Sequence, residues 1–349
     1  MSKLTKRQEY ILQFIEERGH TVAKAIIDEL QTKFDNVSKP TVLRDLEILL
    51  DAKLINKTGG GRSVAYESKE QNFLLKHIAV ASYFAVPPDN RPAQKNFNWE
   101  VFNHLHDLFS NTELKYLDNL NHKYLQKKRA LSPVVLKKEL ERLTIELSWK
   151  SSELEGNTYS LIDTEVLIKE HKEAPGHTKE EAFMILNHKQ ALDYVLARPD
   201  RFKKISLGTI RSLHALLIKN LGIPDDYRKG IVGIIGTNYK PLDNQFQIRE
   251  AMEKLVSLIN SEEHSAVKAM VAIVMVAYIQ PFMDGNKRTG RILGNALLLA
   301  HDWCPMSLRS MGSTEYKKAI ILFYEQNNLK YFKELFMQQF EFAVNNYFG

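Results

Sequence analysis

Cysteine is almost missing from this chain: among 349 residues only Cys304 carries a thiol. One cysteine rules out an internal disulfide framework and fits a reducing compartment, with the cytoplasm as the simplest expectation. Long apolar runs are missing too. No stretch approaches the ~20 uninterrupted apolar residues of a membrane span. Met1-Ser2-Lys3-Leu4-Thr5-Lys6-Arg7 runs into a charged amphipathic pattern rather than an apolar leader. Neither export nor membrane insertion is expected. Internal repeats and low-complexity tracts are also lacking. Charge of one sign is in small surplus: 48 Lys and Arg against 42 Asp and Glu give a net +6. That fits an anionic partner such as nucleic acid or nucleotide, but it is too modest for so long a chain to decide anything. What the chain does have is apolar content, at 44%, and a length that points to two or three domains with at least one sizeable core.

Residues 1–70 form the first expected unit. Tyr10, Ile11, Phe14 and Ile15 have helical spacing, and a second helix covers Val22 to Leu30. A third starts with Ser38 as N-cap and Pro40 in the first turn, and Val42, Leu43, Leu46, Leu49 and Leu50 supply its buried stripe. A strand at Leu54 to Lys57, a turn at Thr58 to Gly61 and a strand at Ser63 to Tyr66 follow. Three helices and a hairpin make a winged helix-turn-helix domain. Residues 71–135, broken by Val86-Pro87-Pro88-Asp89-Asn90-Arg91-Pro92, read as a helical connecting segment. From Leu136 to the end the pattern is almost continuous helix, with strand character only at Gly230 to Leu242.

Ala266 to Ile279 is apolar on nearly every face and Ile292 to Ala300 almost as much, so both helices belong in the middle of a helical core. Between them runs Gln280-Pro281-Phe282-Met283-Asp284-Gly285-Asn286-Lys287-Arg288-Thr289-Gly290-Arg291. A loop tied to two buried helices stays near the core, and ions are rarely buried without partners, so its cations call for an anion. Gly285-Asn286 permits a tight turn at a helix N-terminus, where the dipole favours negative charge. Arg288 and Arg291 share one helical face and suit phosphate oxygens, and Asp284 suits a divalent cation bridging them. The loop is thus expected to bind a nucleotide polyphosphate. The alternative is a helix joint whose cations pair with carboxylates elsewhere in the protein.

In order and spacing this segment resembles the characteristic loop of the Fic family. There a histidine is followed by Pro-Phe, one residue, Asp or Glu, Gly-Asn, a small residue, Arg, two residues and Arg. The resemblance spans residues 136–349, with Leu213 to Leu217 and Glu315 to Ala319 as flanking landmarks. It implies a mainly α, all-helical Fic fold with a β-hairpin flap, and transfer of AMP from ATP to a hydroxyl of a target protein, with Mg²⁺ on Asp284. The nucleotide would lie on Gly285, Asn286, Lys287, Arg288, Gly290 and Arg291. Tyr227 to Gly236 with Tyr239-Lys240-Pro241 is similar to the family's flap, so Ile234, Ile235, Gly236 and Tyr239 would hold a target segment by strand addition. Ser151-Ser152-Glu153-Leu154-Glu155-Gly156-Asn157 resembles the family's inhibitory motif, on a helix near residues 145–157. The resemblance gives Ser151, Glu155 and Gly156 that part, with Glu155 pairing Arg291 and denying the γ-phosphate its partner.

Two positions depart from the pattern. The catalytic histidine is replaced by Gln280, an amide with no usable basicity, and losing a general base costs about 10² to 10⁴ in rate. His188, His214 and His301 lie off the loop, and His214 reads as a packed helix histidine. Lys287 stands where AMP-transferring members carry glycine. Lysine there resembles the Doc branch, which transfers the γ-phosphate, although Gly290 and Arg291 match the AMP-transferring branch. At the N-terminus, Ser38 to Leu46 resembles the recognition helix of DeoR-like repressors, with Gly59-Gly60-Gly61-Arg62 as wing tip. Lys39, Thr41 and Arg44 would then read bases and Lys57 and Arg62 would meet phosphate. Winged helices also dock proteins or dimerise, so a homodimer is a further expectation. The alternatives to an autoinhibited AMP transferase are a DNA-bound regulator whose Fic domain only senses nucleotide, and a Doc-like phosphotransferase.

Overall fold

The computed structural model describes residues 4–34, 36–69 and 72–348, without the side chains of Glu17 and Arg62. The chain divides into two compact units, Met1–Pro92 with Asn328–Lys330, and Ala93–Asn327 with Tyr331–Gly349.

The first unit begins with α1 (Lys6–Arg18), whose N-cap Thr5 forms a reciprocal capping box with Gln8. Then come β1 (Thr21–Val22), α2 (Ala23–Lys33), α3 (Lys39–Asp51), β2 (Ile55–Thr58) and β3 (Ala65–Ser68). The strands make one antiparallel sheet in the order β1-β3-β2, with Val22 opposite Ala65 and Ile55 opposite Ser68. Ile11, Ile15, Ile26, Leu30, Val42, Leu46, Leu49 and Ile55 are buried together. Two residues are too few for a period, which is why β1 escaped the sequence pattern. Gly59 has φ +73°, and a Cβ there would lie 2.4 Å from the carbonyl oxygen of Ser63, so the tip of the hairpin demands glycine. A 3-10 turn at Gly61–Ser63 follows it. Asp45 of α3 points inward, accepting from Gln8 Nε2 at 3.0 Å and pairing with Arg7. α4 (Val80–Phe84) also belongs to this unit.

The second unit holds α5 (Asn111–Ala130), α6 (Pro133–Glu153), α7 (Leu161–Glu170), α8 (Lys179–Ala197), α9 (Leu207–Leu217), α10 (Gln245–Ser261), α11 (Ser265–Ile279), α12 (Asn286–Ala300), α13 (Ser313–Gln326) and α14 (Lys330–Asn346). The connecting segment expected at residues 71–135 is shared between the two units, which divide there between Pro92 and Ala93, with α5 in the second. Every residue of α11 is buried and nearly every one of α12, as their apolar composition requires. The two helices touch along Gly290 and Gly294, where a Cβ would lie 2.9 Å from the Ile273 carbonyl oxygen and 2.7 Å from Ile273 Cγ1.

Residues 230–242 correct an expectation. Among the described residues the second unit contains no strand; this segment is a loop turning at Ile235-Gly236, with one parallel bridge between Asn96 and Lys240. Gly230, Gly233 and Gly236 weaken strand character, and both ends of the loop are tied to one group instead. Arg228, 2% exposed, donates Nη1 to the Gly230 carbonyl at 2.6 Å and Nη2 to the carbonyl of Leu242.

Alanine in place of Gly294 should favour an isolated helix, yet here it overpacks the α11–α12 contact. Gly294→Ala is expected to destabilise the protein by about 1–3 kcal/mol, read as a lower urea midpoint at unchanged slope. A raised midpoint would show that helix propensity outweighs the contact.

Candidate functional site

The loop between α11 and α12 is held from inside. α11 ends on Gln280 in the left-handed region, φ 51°, and α12 starts from Gly285 at φ 78°. A Cβ on Gly285 would lie 3.3 Å from Ile218 Cγ2 and 3.4 Å from His214 Cδ2, so the turn needs glycine for space as well as torsion. The Asn286 side chain accepts from the Phe282 N–H and donates to the Phe282 carbonyl, both at 2.8 Å, and donates to Gln280 Oε1 at 2.9 Å. Gln280 Nε2 donates to the Ala277 carbonyl at 2.6 Å and to Tyr324 Oη at 3.3 Å, and the Gln280 carbonyl accepts from Arg228 Nε at 2.6 Å. Gln280 and Asn286 therefore brace the loop. Gly290 faces α11, where a Cβ would lie 2.9 Å from the Ile273 carbonyl oxygen.

The cations do not wait unpaired. Arg291 has no exposed surface, and its Nη1 lies 2.8 Å from Glu155 Oε1, while Lys287 Nζ lies 2.6 Å from Glu155 Oε2. Arg291 also donates Nε to Ser151 Oγ and Nη2 to the Ser151 carbonyl, each at 2.8 Å, and Nη1 to Tyr316 Oη at 3.0 Å. Gly156, just beyond Glu155, takes φ +97° and lets the chain leave the end of α6. Arg288, 2% exposed, pairs with Asp284 at 2.9 Å, yet its Nε and Nη1 have no hydrogen-bond partner among the described residues. The demand of these cations for an anion is thus met partly within the chain, and only Arg288 keeps buried capacity unused.

Burial would raise the Glu155 carboxyl, but Arg291 and Lys287 overcome it and hold the group down at about 2. Burial drives His188 well below the ordinary imidazole range, helped by Arg291 and Arg288, and takes His214 to about 4. His214 stacks on Phe282 at 3.6 Å and donates Nε2–H to the Asp284 carbonyl at 2.9 Å, a packed helix histidine. His301 caps the far end of α12, about 22 Å along the helix from the loop. His188 on α8, His214 on α9 and His301 at the end of α12 all lie off the loop.

A cavity of about 410 Å³ opens over the loop, lined by Glu155, Gly156, Asp284, Lys287, Arg288 and Tyr316 among others. Ile234 and Ile235 form part of its wall, and Ile235 is 98% exposed. Gly236 makes the turn beside them. Tyr239 turns the other way: 2% exposed, it stacks between Tyr278 and Tyr324 and donates to the Tyr278 carbonyl at 2.9 Å, so it cannot present itself to a target. Tyr316, Tyr324 and Arg228 were not singled out from sequence. Each lies in or beside a recognised stretch, but nothing in its spacing reveals where its polar end goes. In the first unit Lys39, Arg44 and Lys57 are exposed and Thr41 is half-buried, while the Arg62 side chain lies outside the described residues.

Residues 204–298 match the family model described as Fic/DOC family. The chain is 23% identical over 261 residues to "Protein adenylyltransferase Fic" of Drosophila erecta, covering 72% of this chain and 50% of that protein. It is 26% identical to the protein of the same name in Drosophila mojavensis, with the same coverage. The chain thus spans about half the length of the curated relatives it matches. Among solved structures, Fic-1 (aa134 - 508) from C. elegans superposes with a TM-score of 0.57 at 18% identity, over 67% of this chain and 69% of that one. A Fic domain containing signaling protein from Bacteroides thetaiotaomicron gives 0.57 and 18% over 67% of this chain and 94% of its own. The chain carries a Fic/DOC domain, and the second unit has the helical Fic fold.

Glu155→Gln leaves Arg291 and Lys287 without their shared carboxylate and is expected to cost about 3 kcal/mol at pH 7. The folded carboxyl is depressed below its ordinary 4.5, so this stabilisation is full above that pH and is lost as pH falls toward about 2. Urea unfolding of both forms at pH 7 and pH 3 checks it: the gap should narrow at the lower pH, and a constant gap would rule out the charge pair as its source.

Proposed function

We propose that the Fic/DOC domain binds ATP in the cavity over Lys287 and Arg288 and is autoinhibited by Glu155, with AMP transfer to a protein hydroxyl impaired by Gln280. The observation that carries this reading is the position of the Glu155 carboxylate, bridging Arg291 and Lys287 where a terminal phosphate would otherwise be gripped. The name "Protein adenylyltransferase" borne by the relatives supports AMP transfer as the reaction class. Releasing Glu155 would free two cations for phosphate oxygens, and the unpartnered Nε and Nη1 of Arg288 offer further donors.

The residues suit Mg²⁺ only in company with the nucleotide. Asp284 is one carboxylate, and no group of three or more His, Cys, Asp or Glu occurs among the described residues. Magnesium ordinarily takes one or two carboxylates and completes its shell with phosphate and water, so Asp284 would hold it once Arg288 lets go. Bound there, the ion would neutralise phosphate charge. Gln280 would still supply no base, because its amide is neutral and both its ends are engaged in the loop. Lys287 pairs with Glu155, which supports a part for it in the same inhibitory bridge.

The N-terminal unit favours a regulatory setting. Three helices on a three-stranded antiparallel sheet, with Lys39 and Arg44 exposed at the start of α3 and Lys57 on β2, support a winged-helix module that reads DNA.

The transferase reading is tested with ATP labelled at the α- or γ-phosphate. Glu155→Gly protein is expected to transfer little label, and the Glu155→Gly/Gln280→His double variant to transfer α-label to protein some 10²-fold faster or more. A double variant that binds ATP but transfers no α-label, or transfers γ-label alone, would overturn it. For the N-terminal unit, gel shifts on genomic fragments should lose their shifted band in Arg44→Ala; an unaltered band would remove the base-reading role.

A further inference from the structure

The second unit has another cavity, of about 440 Å³, where the first turns of α9 and α10 meet; Gly208, Arg211, Asp226, Tyr227, Phe246 and Arg249 are among its lining residues. Ser206 caps α9 and Asn244 caps α10, so two positive helix ends border it. Arg211 and Arg249 add charge and are only lightly committed. Arg211 Nη2 is 3.6 Å from Asp226 Oδ1, and Arg249 Nε is 3.1 Å from Glu253 Oε1, which leaves most of the five N–H donors of each guanidinium uncommitted. Asp226 itself is occupied in accepting the Tyr227 N–H at 2.9 Å.

Tyr227 makes this more than a pair of helix ends. Its side chain is 8% exposed and packs on Phe282, yet its hydroxyl is buried with no hydrogen-bond partner among the described residues. A buried hydroxyl left unpaired is a standing cost that a ligand oxygen would remove. Burial pushes the hydroxyl up to about 12 against the pull of Arg211 and Arg249, so it remains protonated and able to donate. At the rim, Phe246 is 83% exposed, a large ring with little to pack on.

We propose that this cavity binds a small phosphate monoester carrying an aromatic ring, its phosphoryl oxygens accepting from Arg211, Arg249 and Tyr227 and its ring lying on Phe246. Three donor groups from three segments match the three free oxygens of a phosphoryl group better than the two of a carboxylate. The site is separate from the loop cavity and does not depend on its nucleotide. It is nonetheless one residue from Arg228, which holds the Gln280 carbonyl at 2.6 Å.

Phosphorus-31 NMR line broadening on the full chain tests the site, with phenyl phosphate and inorganic phosphate as probes. Phenyl phosphate is expected to bind roughly fivefold tighter than inorganic phosphate through the ring contact. Phe246→Ser should abolish that preference, and Arg249→Gln or Tyr227→Phe should weaken both probes about tenfold. Absence of broadening in the unaltered chain, or broadening that survives unchanged in an Arg211→Gln/Arg249→Gln double variant, would overturn the proposal.

Discussion

The carboxylate of Glu155 lies between the guanidinium of Arg291 and the ammonium of Lys287, and the arrangement of the second unit follows from that bridge. An arginine with no exposed surface has lost its hydration, and recovering that loss takes an anion at contact distance together with acceptors for its remaining N–H groups. Glu155 supplies the anion, Ser151 two acceptors and Tyr316 one. The same contacts tie the end of α6 to the start of α12. A group arriving from the cavity with negative charge meets cations already neutralised, so it must either displace Glu155 or be content with Arg288.

Around that bridge the backbone has little freedom. Gly290 and Gly294 set the separation of α11 and α12, and any Cβ there would push the helices apart. Gln280 and Asn286 close the connecting loop through their amides, and Arg228 fastens the loop at residues 230–242 to the Gln280 carbonyl. Gln280 is thus held through its carbonyl and both ends of its amide. Its side chain donates to the Ala277 carbonyl and accepts from Asn286 at once, bracing the loop that carries the cations.

Much of this was legible in residue order. The unbroken apolar faces of α11 and α12 placed them in the core, and Pro40 behind Ser38 marked the start of α3. The spacing from Gln280 to Arg291 pointed to the family that the comparisons also found, and the short run from Ser151 to Gly156 pointed to the Glu155–Arg291 pair. What stayed hidden depends on where a polar end goes in three dimensions. Composition could not show that Lys287 would share Glu155, that Tyr239 would turn inward to stack on Tyr278 and Tyr324, or that Gly290 would pack so closely on α11. The β-branched run from Ile231 to Ile235 looked like a strand because period and side-chain shape were right. Pairing also needs a partner edge, and among the described residues only the single bridge at Lys240 forms.

The proposed autoinhibition by Glu155 is tested most directly by calorimetric titration of ATP into the intact chain and its Glu155→Gly variant. The account predicts affinity at least tenfold higher in Glu155→Gly, with the gain reduced when Lys287 is also replaced by alanine. Equal affinity in the intact chain and Glu155→Gly, or weaker binding once Glu155 is gone, would contradict it.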